Sequence, residues 1–174
     1  MTEVVDFAAR TGLALAADPR EMAVGAPILA AIDLGEVSRA AVLWASELAE
    51  RTGASLQILH VLHDPAENPG KYARHKSDPF EPMADTAERM LSEFLADMRA
   101  AHPGLKGLAA ATTKLARGLP AQTIVNEARQ LGASLIVVGS RGKSSLAKLL
   151  YGSNAQNVTR LSPIPVTVVK TPSP

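Results

Sequence analysis

The stretch Val137-Val138-Gly139-Ser140-Arg141-Gly142-Lys143-Ser144-Ser145-Leu146-Ala147-Lys148-Leu149-Leu150-Tyr151-Gly152-Ser153-Asn154 decides the fold of this 174-residue chain. It begins inside Leu135-Ile136-Val137-Val138, an apolar, β-branched run of the kind buried on both faces of a parallel sheet. Gly139 ends that run and Gly142 follows three residues later, so the backbone can bend tightly and bring bare N–H groups to a ligand. Gly152-Ser153 then opens a helix predicted to reach Leu161. Ser153 with Gln156 reads as an S-x-x-Q capping box, and the free amides of that first turn suit an anion at the positive end of the dipole. Turn and helix start together form a cradle for a di- or triphosphate, to which Lys143, Ser144 and Ser145 add charge and hydroxyl donors.

Working outward, short apolar runs alternate with amphipathic segments. Ile28-Leu29-Ala30-Ala31-Ile32 reads as a buried first strand ending at Asp33. A helix opens at Ser38, with Ala41, Trp44, Ala45, Leu48 and Ala49 on its apolar face, Arg39, Ser46, Glu47, Glu50 and Arg51 on the other, and Gly53 as its stop. Ser55 to Leu62 is the second strand. A polar, proline-containing loop from Asp64 to about Pro82 is longer than a simple connection needs. A second helix runs from about Met83 to Ala101, with Ala87, Met90, Leu91, Phe94, Leu95 and Met98 as its core stripe. Leu108 to Leu115 is predicted as the third strand. Gly118-Leu119-Pro120 starts a third helix with Ile124, Ala128 and Leu131 facing inward. Val166-Thr167-Val168-Val169 is the last strand.

Five strands alternating with four helices predict an α/β, doubly wound, five-stranded parallel sheet of the flavodoxin-like kind, order 3-2-1-4-5, with helices on both faces. Strands 1 and 4 then lie side by side at the switch point, and a ligand site is expected beyond their carboxyl ends, among Ala31, Ile32, Asp33, Gly139, Ser140 and their neighbours. This domain spans residues 27–171. Residues 1–26 form an N-terminal extension, either a docked amphipathic helix (Val4, Val5, Ala8, Ala9) or a loose arm, and residues 172–174 a tail.

Composition narrows the function. With 18 Lys+Arg against 17 Asp+Glu and only one Trp, two Tyr and three Phe, the chain lacks the clustered charge and stacking rings that nucleic-acid binding uses, and no nucleic-acid partner is expected. The absence of cysteine removes disulfides, thiolate nucleophiles and Cys-based metal sites. The apolar stretches are too short for a membrane span, and the acidic start lacks a signal peptide's basic region, so the cytoplasm is the expected compartment.

Two familiar phosphate motifs fail. Gly142-Lys143-Ser144 matches the tail of a P-loop, but its leading glycine position is Val137. The turn after the first strand, Asp33-Leu34-Gly35-Glu36, lacks the dinucleotide fingerprint. No nucleophile–base–acid set is present, so no catalytic residue is assigned. His60 and His63 point to opposite faces of a regular strand and read as packing or loop residues, and no metal ligand is assigned among the side chains.

The pattern Gly139-x2-Gly142-x9-Gly152-Ser153 resembles the nucleotide-binding signature of the universal stress protein family, in its ATP-binding branch. Ile32 to Ser38, Leu59-His60-Val61, Gly118-Leu119-Pro120 and Ser162 to Val169 also resemble that family, so the likeness runs over residues 28–170. The resemblance implies an adenine-nucleotide site: Asp33 near ribose and adenine, the backbone of Val61 at the adenine edge, Gly139, Arg141 and Gly142 along ribose and phosphates, and Gly152, Ser153, Asn154 and Ala155 at the phosphate tail. It implies ATP (or AMP or cAMP) as ligand, with Mg²⁺ or Mn²⁺ through the phosphates, and a stress-response switch with an unknown regulatory protein partner. Leu34-Gly35 departs from the Gly-Ser that members commonly carry there.

Simpler readings stay beside these. Asp33 is either a ligand contact or a turn and cap residue, and Lys143 either grips phosphate or is a surface lysine. The alternatives to a switch are a nucleotide hydrolase or nucleotidyl-transfer enzyme of the same architecture, or a nucleotide-free interaction module. The apolar edge strand, Val166, Val168 and Val169, calls for cover, and a homodimer through that edge supplies it.

Overall fold

The computed structural model describes residues 25–62, 83–140 and 152–170. The long polar loop and residues 141–151 of the glycine motif lie outside the described residues, as do the first 24 residues and the last four. The apolar runs become β1 (Ile28–Ile32), β2 (Leu56–Leu62), β3 (Thr112–Arg117), β4 (Leu135–Gly139) and β5 (Val166–Val169). All pair in parallel in the order β3-β2-β1-β4-β5, the order expected from the alternation. β1, entirely apolar, takes a central place and is buried along its whole length.

The helices are α1 (Glu36–Thr52), α2 (Met83–Ala101), α3 (Lys106–Ala109), α4 (Pro120–Leu131) and α5 (Ser153–Leu161). Because successive strand residues point to opposite faces, two cores form. Ile28, Ala30, Ile32 and Ile58 meet Ala41, Ala45, Leu91, Phe94 and Met98 of α1 and α2 on one face. Leu29, Ala31, Leu59 and Val61 meet Ile124, Ala128 and Val158 of α4 and α5 on the other.

The structure departs from the expected elements in the Leu108–Leu115 run and along α1. The run Leu108–Leu115 is not one strand: its start is the single turn α3, and β3 begins at Thr112 and continues to Arg117. A short apolar run carries no period that separates a turn of helix from a strand. Here the turn buries Leu108 completely, and Arg99 holds it by donating to the carbonyls of Leu108 (3.3 Å), Ala109 (3.2 Å) and Ala111 (2.8 Å). The described residues therefore hold five helices, not four.

On α1, which begins at Glu36 instead of Ser38, the expected faces are shifted. Trp44, assigned to the core, is 39% exposed, while Ser46, assigned to the polar side, is fully buried. Ser46 tolerates burial because its hydroxyl donates to the Val42 carbonyl at 2.7 Å. Its small side chain lets α3 close in, and a Cβ at Gly107 would collide with the Ser46 carbonyl oxygen. Glu50 completes this junction by accepting the Lys106 amide at 3.1 Å.

Candidate functional site

The register sets the site. Ala31 lies opposite Val138 and Ile32 opposite His60, so β1, β4 and β2 bring Asp33, Gly139 and Val61 to the same end of the sheet. Asp33 follows the last residue of β1, and Leu34 takes φ 63, so the chain turns sharply into α1. The Asp33 carboxylate organises that turn: Oδ1 accepts the Gly35 amide (3.1 Å) and the Ser38 hydroxyl (2.7 Å). The Ser38 oxygen in turn accepts the Asp33 amide at 3.0 Å. The turn-and-cap role considered for Asp33 is thus present in the structure. Buried Ser38 is its missed partner; a hydroxyl in the first turn of a helix that follows a strand-end Asp was the available signal.

At the neighbouring strand end, Gly139 allows close packing of α1. A Cβ there would lie 2.9 Å from Val37 Cγ1. Ser140 is buried; its amide donates to the Val169 carbonyl (2.8 Å) and its carbonyl accepts the Gly152 amide (2.6 Å). That bond fixes the start of α5 against the end of β4. Ser153 does not cap the helix, contrary to the capping-box expectation. The N-cap is Gly152, it makes no side-chain cap bond, and Gln156 N–H bonds the Gly152 carbonyl at 3.1 Å. Ser153 at the first helical position cannot reach back to the amides a cap serves. The amides of Ser153, Asn154 and Ala155 belong to the turn that an α-helix leaves without internal acceptors. Ser153 and Asn154 are exposed, and Ala155 is buried beneath them.

β2 supplies the third wall. Val61 is buried next to the strand end, and the Leu62 carbonyl accepts the Gly118 amide at 3.1 Å. Gly118 takes φ 142, a conformation that favours glycine, and turns the chain from β3 into α4. His60 is buried, with Nδ1 2.9 Å from the Ile32 carbonyl. Since a carbonyl only accepts, Nδ1 carries the proton, and His60 serves packing, as its position in the strand suggested.

Of the residues singled out in the sequence, Ala31, Ile32, Asp33, Val61, Gly139, Ser140, Gly152, Ser153, Asn154 and Ala155 therefore gather at one end of the sheet. Arg141, Gly142, Lys143, Ser144 and Ser145 lie outside the described residues. Among the described residues no group of three or more His, Cys, Asp or Glu is placed to hold a metal ion, and no helix is long and apolar enough to cross a membrane. The arrangement offers oriented amides at a helix start and one turn-bound carboxylate, equipment for holding a polar ligand.

These features define a doubly wound parallel α/β domain with a switch-point site built mainly from backbone. The universal stress protein family profile matches residues 26–170, and the chain belongs to that family. The universal stress protein YxiE of Bacillus subtilis is 34% identical over 148 residues, covering 82% of this chain and 97% of the relative. The universal stress protein UspA from Lactobacillus plantarum shares the fold, with a TM-score of 0.62 at 23% identity over 84% of this chain and 99% of the other. A universal stress protein solved in complex with cAMP superposes with a TM-score of 0.60 at 25% identity, over 86% of this chain and 100% of the other.

Proposed function

We propose that this universal stress protein binds an adenine nucleotide beyond the ends of β1, β4 and β2 and acts as a stress-response regulator whose affinity for a protein partner follows its nucleotide state. The observation that carries the reading is the start of α5, uncapped by any side chain and tied to the end of β4 by the Gly152–Ser140 bond, one strand away from Asp33. A ligand phosphate is the complement that such a turn lacks. The relative solved with cAMP supports the choice of an adenine nucleotide.

In this reading the Val61 backbone meets the adenine edge, and Asp33 and the chain at Ala31 and Ile32 border ribose and base. Gly139, Ser140, Arg141 and Gly142 follow ribose and phosphates. Lys143, Ser144 and Ser145 add donors, and Gly152, Ser153, Asn154 and Ala155 receive the phosphate tail. ATP is the proposed ligand, with AMP and cAMP as its competitors. Mg²⁺ or Mn²⁺, held through the phosphates, would offset their charge. The one carboxylate at the described site has Oδ1 engaged by Gly35 and Ser38, so any hydrolysis is expected to be slow. Among the described strands β5 pairs with β4 alone, at the end of the sheet order, and is half-buried, which supports a homodimer through that edge. The cytoplasm is the proposed compartment.

The test is denaturing extraction of the purified full chain followed by nucleotide chromatography, with an ATP turnover assay alongside. Recovered adenine nucleotide with negligible turnover is the expected result. Turnover lost in Asp33→Ala would favour the hydrolase reading, and a chain that neither carries nor takes up nucleotide would favour the interaction module.

A further inference from the structure

We infer that the N-terminal 24 residues dock along the flank of α1 that carries Trp44, covering an apolar surface that the folded domain leaves open. Val37, Trp44 and Leu48 recur at helical spacing on α1 and define that flank, with buried Ala41 beneath them. Its direction is set by Val37, which sits over Gly139 of β4, so Trp44, two turns later, lies toward the β4–β5 side of the sheet. Among the described residues, the helices that pack against α1 meet it from its other side. Arg39 stacks on Phe94 of α2 at 5.1 Å, and Ser46 and Glu50 meet α3. Trp44 stays 39% exposed, and Val37 and Leu48 are only part-buried. A tryptophan this exposed, flanked by two part-buried apolar side chains, offers an apolar segment a surface to cover.

The point where the chain enters the domain identifies the occupant. Gly25 takes φ 83, and a Cβ there would lie 3.4 Å from the Gly53 carbonyl oxygen, the C-cap residue of α1. The preceding segment therefore leaves from the foot of the same helix. Its sequence matches the surface in pattern and length. Val5, Ala9, Leu13 and Ala16 share one helical face, Glu3 and Arg10 lie off it with Asp6 at its border, and Pro19 ends the pattern. Residues 4–17 as a helix would span about 21 Å and Val37 to Leu48 span about 17 Å at the α-helical rise. The connector 18–24 reaches about 23 Å when extended. A tethered segment also meets the flank at an effective concentration of roughly millimolar, well above that of a free second copy.

The composition provides a clean probe, because the chain has one Trp and no Cys. In the full chain, Ala9→Cys is labelled with bimane, a fluorophore quenched by indole only near contact, and compared with the same label in a Trp44→Phe background. Docking predicts that Trp44 lowers the bimane emission about twofold, and that the ratio persists on dilution and with excess unlabelled chain, as an intramolecular contact must. Equal emission in the two backgrounds would overturn the inference, and so would a ratio that collapses on dilution, which would give the flank to a second copy. As a check that leaves the domain untouched, Leu13→Asp in the unlabelled full chain should raise acrylamide quenching of Trp44 about twofold by releasing the tethered segment. Unchanged quenching would count against docking.

Discussion

Gly107 and Gly139 each let α1 approach a neighbour, at opposite ends of the sheet, and what they meet differs. At Gly107 the space for a Cβ is taken by the Ser46 backbone carbonyl, inside a junction closed by Arg99 and by Glu50. At Gly139 the obstacle is one methyl of Val37, at the strand ends where the nucleotide site is proposed. The first glycine fixes packing; the second sits where packing and the proposed site share a boundary. The Gly107 end of the fold is held by Arg99 donating to carbonyls and Glu50 accepting an amide, the Gly139 end by backbone bonds at Ser140 together with the turn bonds that Asp33 accepts.

Gly107→Ala should break the first of these ends. Because backbone must move, unfolding stability should fall by about 3 kcal/mol, seen as a lower midpoint in denaturant, with nucleotide affinity of the folded fraction unchanged. Arg99→Ala should cost about 2 kcal/mol by stripping three carbonyls of a charged donor. Arg99→Lys should recover little, since an ammonium lacks the guanidinium fork.

At the second, Gly139→Ala should cost about 1 kcal/mol, and Val37→Ala in the same chain should return part of it, a coupling that a double-mutant cycle measures. Asp33 gives the finest separation. Asp33→Ala should lose about 1 kcal/mol with the turn bonds. Asp33→Asn retains an acceptor for Gly35 and Ser38, so thermal melting should barely move while nucleotide affinity drops. Equal losses of affinity and stability in Asp33→Asn would reduce this residue to its turn role.

The sheet order was legible because alternation of apolar runs and amphipathic segments allows few topologies, and Gly139 and Gly152-Ser153 marked where β4 ends and α5 starts. The misread parts all depended on tertiary partners. Ser46 looks solvent-facing until Gly107 arrives from a distant part of the chain, and Leu108 looks like strand until Arg99 caps its turn. The capping box at Ser153 was off by one residue because Gly152 can itself take the extended N-cap conformation. Ser38 was visible only as a helix opener, since its value lies in two bonds back across the turn to Asp33.

The α5 start and the neighbouring strand ends are proposed to hold an adenine nucleotide. Calorimetric titration of ATP, AMP and cAMP into nucleotide-stripped full chain, and into Gly142→Val, tests it most directly. Saturable binding of at least one of the three is expected, weakened at least about tenfold, or ~1.4 kcal/mol, by the valine. No heat of binding for any of them at millimolar concentration would contradict it.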